Sequence, residues 1–160
     1  MPEVVYHTIK PVFDENSRVL ILGSFPSVVT RKKDFYYANP QNRFWKVMEA
    51  IFREEIKDRK DFCHRHHVAL WDVIASCSIQ GSSDASITDV KVNDIACLLA
   101  KTRVHVIFTT GLKAYQLFDK YIRVNVPVIP LPSTSGANAH MSLAELTEKY
   151  RIIEKEAETE

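Results

Sequence analysis

The sequence predicts an α/β domain: a short, mainly parallel four-stranded sheet with helices on both faces, a three-layer αβα sandwich. Four short apolar runs read as strands, at 18–23, 68–74, 104–110 and 126–132. Segments with helical spacing separate them, and strands alternating with helices pair in parallel through right-handed crossovers. The 160 residues leave room for one domain, expected over 1–160, with a core that needs neither disulfides nor metals.

RVLILG (18–23) is a buried strand because its apolar run is short and stops at Gly23. Residues 24–41 have two prolines and no clean period, so they read as a long loop, and its aromatics argue for function over disorder. Phe44, Val47, Met48 and Ile51 recur at helical spacing and predict a helix from Asn42 to about Glu55, with Pro40 at its entrance. A second short helix is expected in 56–67. The segment 76–87 is rich in turn-formers and reads as a polar loop. Helices follow at 92–102 and 112–122, and the prolines of 126–132 place that strand at an edge or an end. The last segment, 143–158, is an amphipathic helix whose acidic end is expected to fray from about residue 154. Ser142 with Glu145 makes its capping box.

In such sheets a ligand binds beyond the carboxyl ends of the strands. The loops after 18–23, 68–74 and 126–132 carry the unusual residues, so a site built from all three is expected. In the first, Gly23 allows close backbone approach, Ser24 and Ser27 offer hydroxyls, and Pro26 stiffens the turn. Arg31, Lys32 and Lys33 would attract a phosphate backbone. Phe35, Tyr36 and Tyr37 are flat faces on which a base stacks, at about 1–3 kcal/mol per base. The Asn39 carboxamide accepts from a water and donates to a base or ring oxygen. The same residue types also serve as core aromatics and solvated surface. In the last loop Ser133, Thr134 and Ser135 can grip a phosphate with hydroxyls and backbone N–H groups, and Asn138 and His140 can reach a groove or a base edge. An ordinary surface turn before a helix fits that loop equally well. Asp72, at the end of a strand, either points into the site or caps a turn, and Asp84 has the same two readings.

Net charge is +1, with residues 141–160 at −3, so a local basic face is open but a strongly basic surface is not. No run of 18 apolar residues exists and the first residues lack a signal-peptide pattern, which predicts an intracellular protein with no membrane partner. Cys63, Cys77 and Cys97 cannot all pair and form no Cys-x-x-Cys, so reduced thiols are expected and a four-cysteine iron–sulfur cluster is excluded. Cys63, His64, His66 and His67 lack a second ligand pair at zinc spacing, and no metal site is expected. The chain has no Gly-x-Ser-x-Gly elbow and neither common glycine-rich nucleotide fingerprint.

Taken together, ILGSFPS (21–27), YYANPQNRFWKVM (36–48) and LPSTSGANAH (131–140) resemble the uracil-DNA glycosylase superfamily. The mismatch-specific uracil and thymine glycosylases have a similar Gly-x-x-Pro turn, then an aromatic, a proline and Asn-Arg-Phe-Trp-Lys opening a helix. LPSTSGANAH is similar to the Pro-Ser-x-Ser loop near the superfamily's C-terminus. The resemblance covers most of 15–152 and implies that superfamily's sandwich fold. The mismatch-specific branch carries a catalytic Asn where this chain has Ser24, and another branch carries a catalytic Asp. GSFPS with YYANP looks instead like the hypoxanthine-DNA glycosylases, whose catalytic Asn maps onto Asn39.

The resemblance implies hydrolytic excision of hypoxanthine from deoxyinosine in deaminated DNA, a base-excision-repair step that leaves an abasic site. Uracil or thymine mismatch excision is the alternative within the fold, and a non-catalytic damaged-DNA or nucleotide-binding module is the alternative outside catalysis. It implies Asn39 as the catalytic residue, holding a water near the anomeric carbon. Gly23, Ser24, Phe25, Pro26, Tyr36, Tyr37 and Asp72 would contact the flipped base. Ser27, Arg31, Lys32, Lys33, Ser133, Thr134, Ser135, Asn138 and His140 would contact DNA, and 137–141 would wedge into the gap. No lysine falls in GSFPS, YYANP or LPSTSGANAH, so a monofunctional, cofactor-free and metal-free monomer acting on duplex DNA is expected, with single strands left open.

Overall fold

The structure is a computed structural model that describes residues 3–26, 28–33, 35–81 and 84–159, apart from the side chains at 28, 29, 31 and 84. Its centre is a parallel sheet in which β2 (Val19–Gly23) lies between β3 (Val68–Asp72) and β6 (Val106–Thr110), with β7 (Val128–Leu131) beyond β6. The order β3-β2-β6-β7 is all parallel. Val19 to Leu22 are fully buried because β2 is covered on both faces, which is why its sequence is a continuous apolar run.

Alternate β2 residues feed two cores. Val19 and Ile21 face α2 (Phe44–Phe52), α3 (Arg59–Arg65) and α6 (Leu143–Glu158), where Phe44, Met48, Ile51 and Tyr150 are fully buried. Leu20 and Leu22 face α4 (Ile95–Ala100) and α5 (Leu112–Tyr121), with Ile95, Leu98 and Phe118 packed below them. Burying each such side chain stabilises the fold by about 1.5–3 kcal/mol. These are the three expected layers. β7, which contains Pro130, is an edge strand, as its prolines suggest.

The sequence expectation fails in the middle of the chain. Residues 68–74 are not one strand: β3 ends at Asp72, and β4 (Ile74–Ile79) begins a second sheet. There β4 pairs antiparallel with β1 (Glu3–Tyr6) and β5 (Thr88–Val92), in the order β1-β4-β5. The turn-forming composition of 76–79 hid this strand. Ser76 and Ser78 alternate with Cys77 and Ile79, and all four are buried, so tertiary pairing overrides local propensity. Val92 belongs to β5, and Asp94 caps α4 through Cys97 N–H at 3.0 Å, so the helix expected from 92 begins at Ile95.

The loop expected at 24–41 contains a short helix, α1 (Val28–Lys33). α2 is shorter than expected because Arg53 adopts the left-handed conformation (φ 55°) that ends it. Asp58 caps α3 by accepting from Asp61 N–H at 3.0 Å. α6 carries the expected Ser142–Glu145 capping box and stays helical through Glu158 instead of fraying from 154. There Ala157 is buried and its carbonyl accepts from Arg18 Nη1 at 3.0 Å. The histidines of 64–67 lie around the end of α3: His64 meets Asp14 at 3.1 Å and His66 meets Glu54 at 3.0 Å. Cys63, Cys77 and Cys97 form no disulfide among the described residues, and Cys63 and Cys77 are buried. Among the described residues no helix is long and apolar enough to cross a membrane.

Candidate active site

From β2 the chain runs to β3 on one side, while β6 and β7 lie on the other, so the carboxyl ends of β2 and β6 flank a switch in strand order. That is where an open α/β sheet makes a crevice. A cavity of about 300 Å³ occupies it. Gly23, Asp72 and Thr110 line it from the ends of β2, β3 and β6. Ser24, Phe25, Pro26, Tyr37 and Asn39 line it from the long first loop, and Ser133, Thr134 and Ser135 from the last. Of the three loops expected to build one site, those after 18–23 and 126–132 meet here; the third supplies no described lining residue, because Asp72 belongs to β3 and the segment after it is β4.

Gly23 is required by close approach. A Cβ there would sit 2.6 Å from Asp72 Oδ1, 3.3 Å from the Tyr37 hydroxyl and 3.5 Å from Thr110 Oγ1. Three polar groups thus converge over a bare Cα. Thr110 Oγ1 is 3.4 Å from the Leu22 carbonyl, to which it donates, and 3.1 Å from the Tyr37 hydroxyl. Burial, then the negative charge of Asp72, pushes the Tyr37 hydroxyl far above its usual range, while the Thr110 bond pulls the other way. Tyr37 is therefore a neutral group at the cavity wall. Its ring stacks on Phe44 at 4.0 Å, and its backbone holds a positive φ of 53°.

Asp72 is 4% exposed, and its Oδ2 lies 2.8 Å from His7 Nε2. His7 follows β1, in a segment whose sequence gave no functional signal. It was missed because only the unexpected second sheet brings residue 7 beside residue 72.

Asn39 is half-buried at the cavity. Its Oδ1 accepts from Gln41 N–H at 3.0 Å and its carbonyl from Asn42 N–H at 2.9 Å, an Asx-type turn that fixes the carboxamide. An amide oxygen has two acceptor sites, so one remains for a water. Nδ2 has no partner among the described residues.

Tyr36 is not a stacking platform. It is 1% exposed, its hydroxyl donates towards the Ile9 and Lys10 carbonyls, and its own carbonyl accepts from Trp45 Nε1 at 3.0 Å. Thr134 is also structural: 1% exposed, it donates to Asn42 Oδ1 at 2.8 Å. Ser133 and Ser135 are half-buried, and their hydroxyls accept from Ser135 and Ala137 N–H at 3.1 and 3.2 Å, which leaves each O–H to donate elsewhere. Asn138 turns inward and donates to the Ser133 carbonyl at 2.9 Å instead of reaching outward. His140 is exposed on the same loop, outside the cavity lining. Lys32 and Lys33 are exposed on α1. Ser27, and the side chains of Arg31 and Asp84, lie outside the described residues.

The sequence reading also missed Arg43. Its guanidinium donates to the carbonyls of Met141, Ser135 (3.3 Å) and Asn138 (2.8 Å), so the helix-opening motif holds the last loop in place. Arginine's planar fork suits several acceptors at once, and Asn-Arg before an apolar helix was the available signal.

The sequence profile of the uracil DNA glycosylase superfamily matches residues 10–155. A protein named hypoxanthine DNA glycosylase from Methanosarcina acetivorans is 35% identical over 137 residues, 82% of this chain and 87% of its own. One of the same name from Methanosarcina barkeri is 36% identical over 135 residues, 80% and 85% of the two chains. The solution NMR structure of a Methanosarcina acetivorans protein, assigned provisionally to the uracil DNA glycosylases, superposes with a TM-score of 0.75 at 30% identity, covering 95% of this chain and 99% of that one. Two motifs joined around one crevice, a profile spanning nearly the whole chain and relatives alike over most of their lengths carry a single conclusion: the chain belongs to the uracil DNA glycosylase superfamily.

Proposed function

We propose that this protein is a DNA glycosylase that hydrolyses the N-glycosidic bond of deoxyinosine, releases hypoxanthine and leaves an abasic site for base-excision repair. The observation that carries this reading is the half-buried Asn39 carboxamide, fixed by its own turn at the edge of a base-sized cavity with an acceptor left for water. The names of the two Methanosarcina relatives support the substrate.

The reacting carbon is unreachable inside a duplex, so the nucleotide must first leave the stack. The base enters the cavity beside Gly23, and its polar edge meets Asp72. Phe25 and Tyr37 supply aromatic wall. Asn39 Oδ1 holds the attacking water against the anomeric carbon as the bond lengthens towards an oxocarbenium-like state. This is positioning and electrostatics, not strong base catalysis. Ser133 and Ser135 donate their hydroxyl protons to phosphates beside the flipped nucleotide. Among the described residues no lysine lines the cavity to form a Schiff base, which supports a monofunctional enzyme that leaves the strand intact. It acts as a monomer on duplex DNA.

The test is base release from duplex oligonucleotides bearing one deoxyinosine or one uracil, in EDTA. Hypoxanthine release without strand cleavage supports the reading. Release mainly of uracil moves the chain to a mismatch-type activity, and binding without release makes it a non-catalytic module.

A further inference from the structure

We infer that His7 is a positioning residue for base selection: by holding Asp72 Oδ2, it leaves Oδ1 as the one acceptor offered to the flipped base, which matches hypoxanthine and not guanine. The inference rests on the proposed reaction for its substrate and on the His7–Asp72 contact for its geometry.

The two side chains are 3% and 6% exposed and 2.8 Å apart. A buried carboxylate is an acceptor only, so His7 Nε2 carries the shared proton as donor. His7 itself is fixed. Its N–H donates to the Ala75 carbonyl at 2.7 Å, which seats it against β4. Its ring lies against Phe25 and Tyr36, with centroids 6.0 Å away in each case. Asp72 is held from behind as well, because its carbonyl accepts from Asn93 Nδ2 at 2.9 Å. The carboxylate plane is therefore set from the side away from the cavity, with Oδ1 lying over Gly23.

The consequence follows from the edges of the bases. Guanine presents two adjacent donors, N1–H and the 2-amino group, and a carboxylate with both oxygens free accepts them as a pair. Hypoxanthine presents N1–H alone, beside a C2–H. Bonded to His7, which lies outside the cavity lining, Oδ2 is drawn to that side, and Oδ1, over Gly23, is the oxygen set towards the base, where it meets the single donor of hypoxanthine. Sites built on buried polar groups discriminate strongly because a mismatch leaves a group unpaired. The His7 bond also draws negative charge away from Oδ1, which reduces repulsion of the base as it departs as an anion.

The experiment compares wild type with His7→Phe, which keeps a ring and removes the donor, and His7→Gln, which restores a donor near Nε2. Binding of free hypoxanthine and free guanine is measured by calorimetry on the full chain, and kcat and KM on the deoxyinosine duplex. His7→Phe should lower the hypoxanthine-over-guanine preference and kcat by about tenfold or more, as for other supporting partners of site residues, with KM for DNA little changed. His7→Gln should recover most of both. An unchanged preference in His7→Phe overturns the inference, as does equal impairment of both variants with the preference retained. If His7→Phe does not fold, Asp72→Asn decides. There His7 would hold the amide oxygen and turn the amide nitrogen to the base, so a retained hypoxanthine preference again overturns it. A wild type that prefers hypoxanthine but releases no base refutes the proposed reaction and leaves this inference standing.

Discussion

The hydroxyl of Thr134 donates to Asn42 Oδ1 at 2.8 Å across 92 positions of sequence, and the same oxygen accepts from Phe44 N–H at 2.9 Å. One amide oxygen thus starts α2 and anchors the last loop. Beside it Arg43 N–H donates to the Thr134 carbonyl at 2.9 Å, and the Arg43 guanidinium spans the carbonyls of Ser135, Asn138 and Met141. The two motifs form one unit. Thr134→Val keeps the shape and loses the bond, at a cost of about 1 kcal/mol. A double-mutant cycle of Thr134→Val with Asn42→Ala should give a coupling of about that size in urea unfolding. Arg43→Ala should cost more, about 2–3 kcal/mol, since it strands several loop carbonyls, and should raise KM for DNA by loosening Ser133 and Ser135.

Gly23→Ala places a methyl 2.6 Å from Asp72 Oδ1. A flexible chain end would move aside, but this carboxylate is buried and tied to His7. The substitution should destabilise by about 1–3 kcal/mol, as overpacking does, and should lower base affinity more than DNA affinity. Thermal unfolding and free-base titration check the two parts separately.

How much of this was readable beforehand depended on whether the signal was local. The strand RVLILG, the period of Phe44, Val47, Met48 and Ile51, and the Ser142–Glu145 box each state their structure within a few residues, and the structure has all three. Meeting of the first and last loops at the strand ends followed from the rule for parallel sheets. What could not be read was non-local. Ser76 and Ser78 look like turn residues until β1 and β5 flank them. His7 has no motif around it and gains its role from a partner 65 positions away. Within the tyrosine pair, sequence could not tell that Tyr36 enters the core while Tyr37 lines the cavity wall beneath the left-handed turn.

Three buried acids predict the high-pH behaviour. Burial raises the hydroxyls of Tyr37 and Tyr150, and pushes the Cys63 thiol up to about 12 from an ordinary 9.0. Each folded value exceeds its unfolded one, so the unfolded chain loses these protons first. Stability is then full below about pH 9 and falls as pH rises through 9 to 12, by about 1.4 kcal/mol per pH unit for each group that has ionised only in the unfolded chain. Urea unfolding across pH 8–11 should show this decline, and Tyr37→Phe should flatten the part above pH 10.

Lys32 and Lys33 are exposed on α1, beside the cavity loop. If both touch phosphates, replacing each with alanine should weaken binding about equally for any duplex. It should also reduce the slope of log affinity against log salt by about 1. A fluorescence-anisotropy titration over salt reads the slope directly. An unchanged slope places the phosphate contacts elsewhere, with Ser133 and Ser135 as the remaining anchors.

The most direct test of the central claim is single-turnover release of hypoxanthine from a deoxyinosine duplex in EDTA, with Asn39→Ala beside wild type. The hydrogen bonds of Asn39 among the described residues lie within its own turn, so the variant should fold and bind DNA. The wild type should release hypoxanthine, and Asn39→Ala should lose about 100-fold or more, the scale of one positioned polar group. Release at the wild-type rate from a folded Asn39→Ala protein would contradict that claim and move the water-holding role to another group in the cavity.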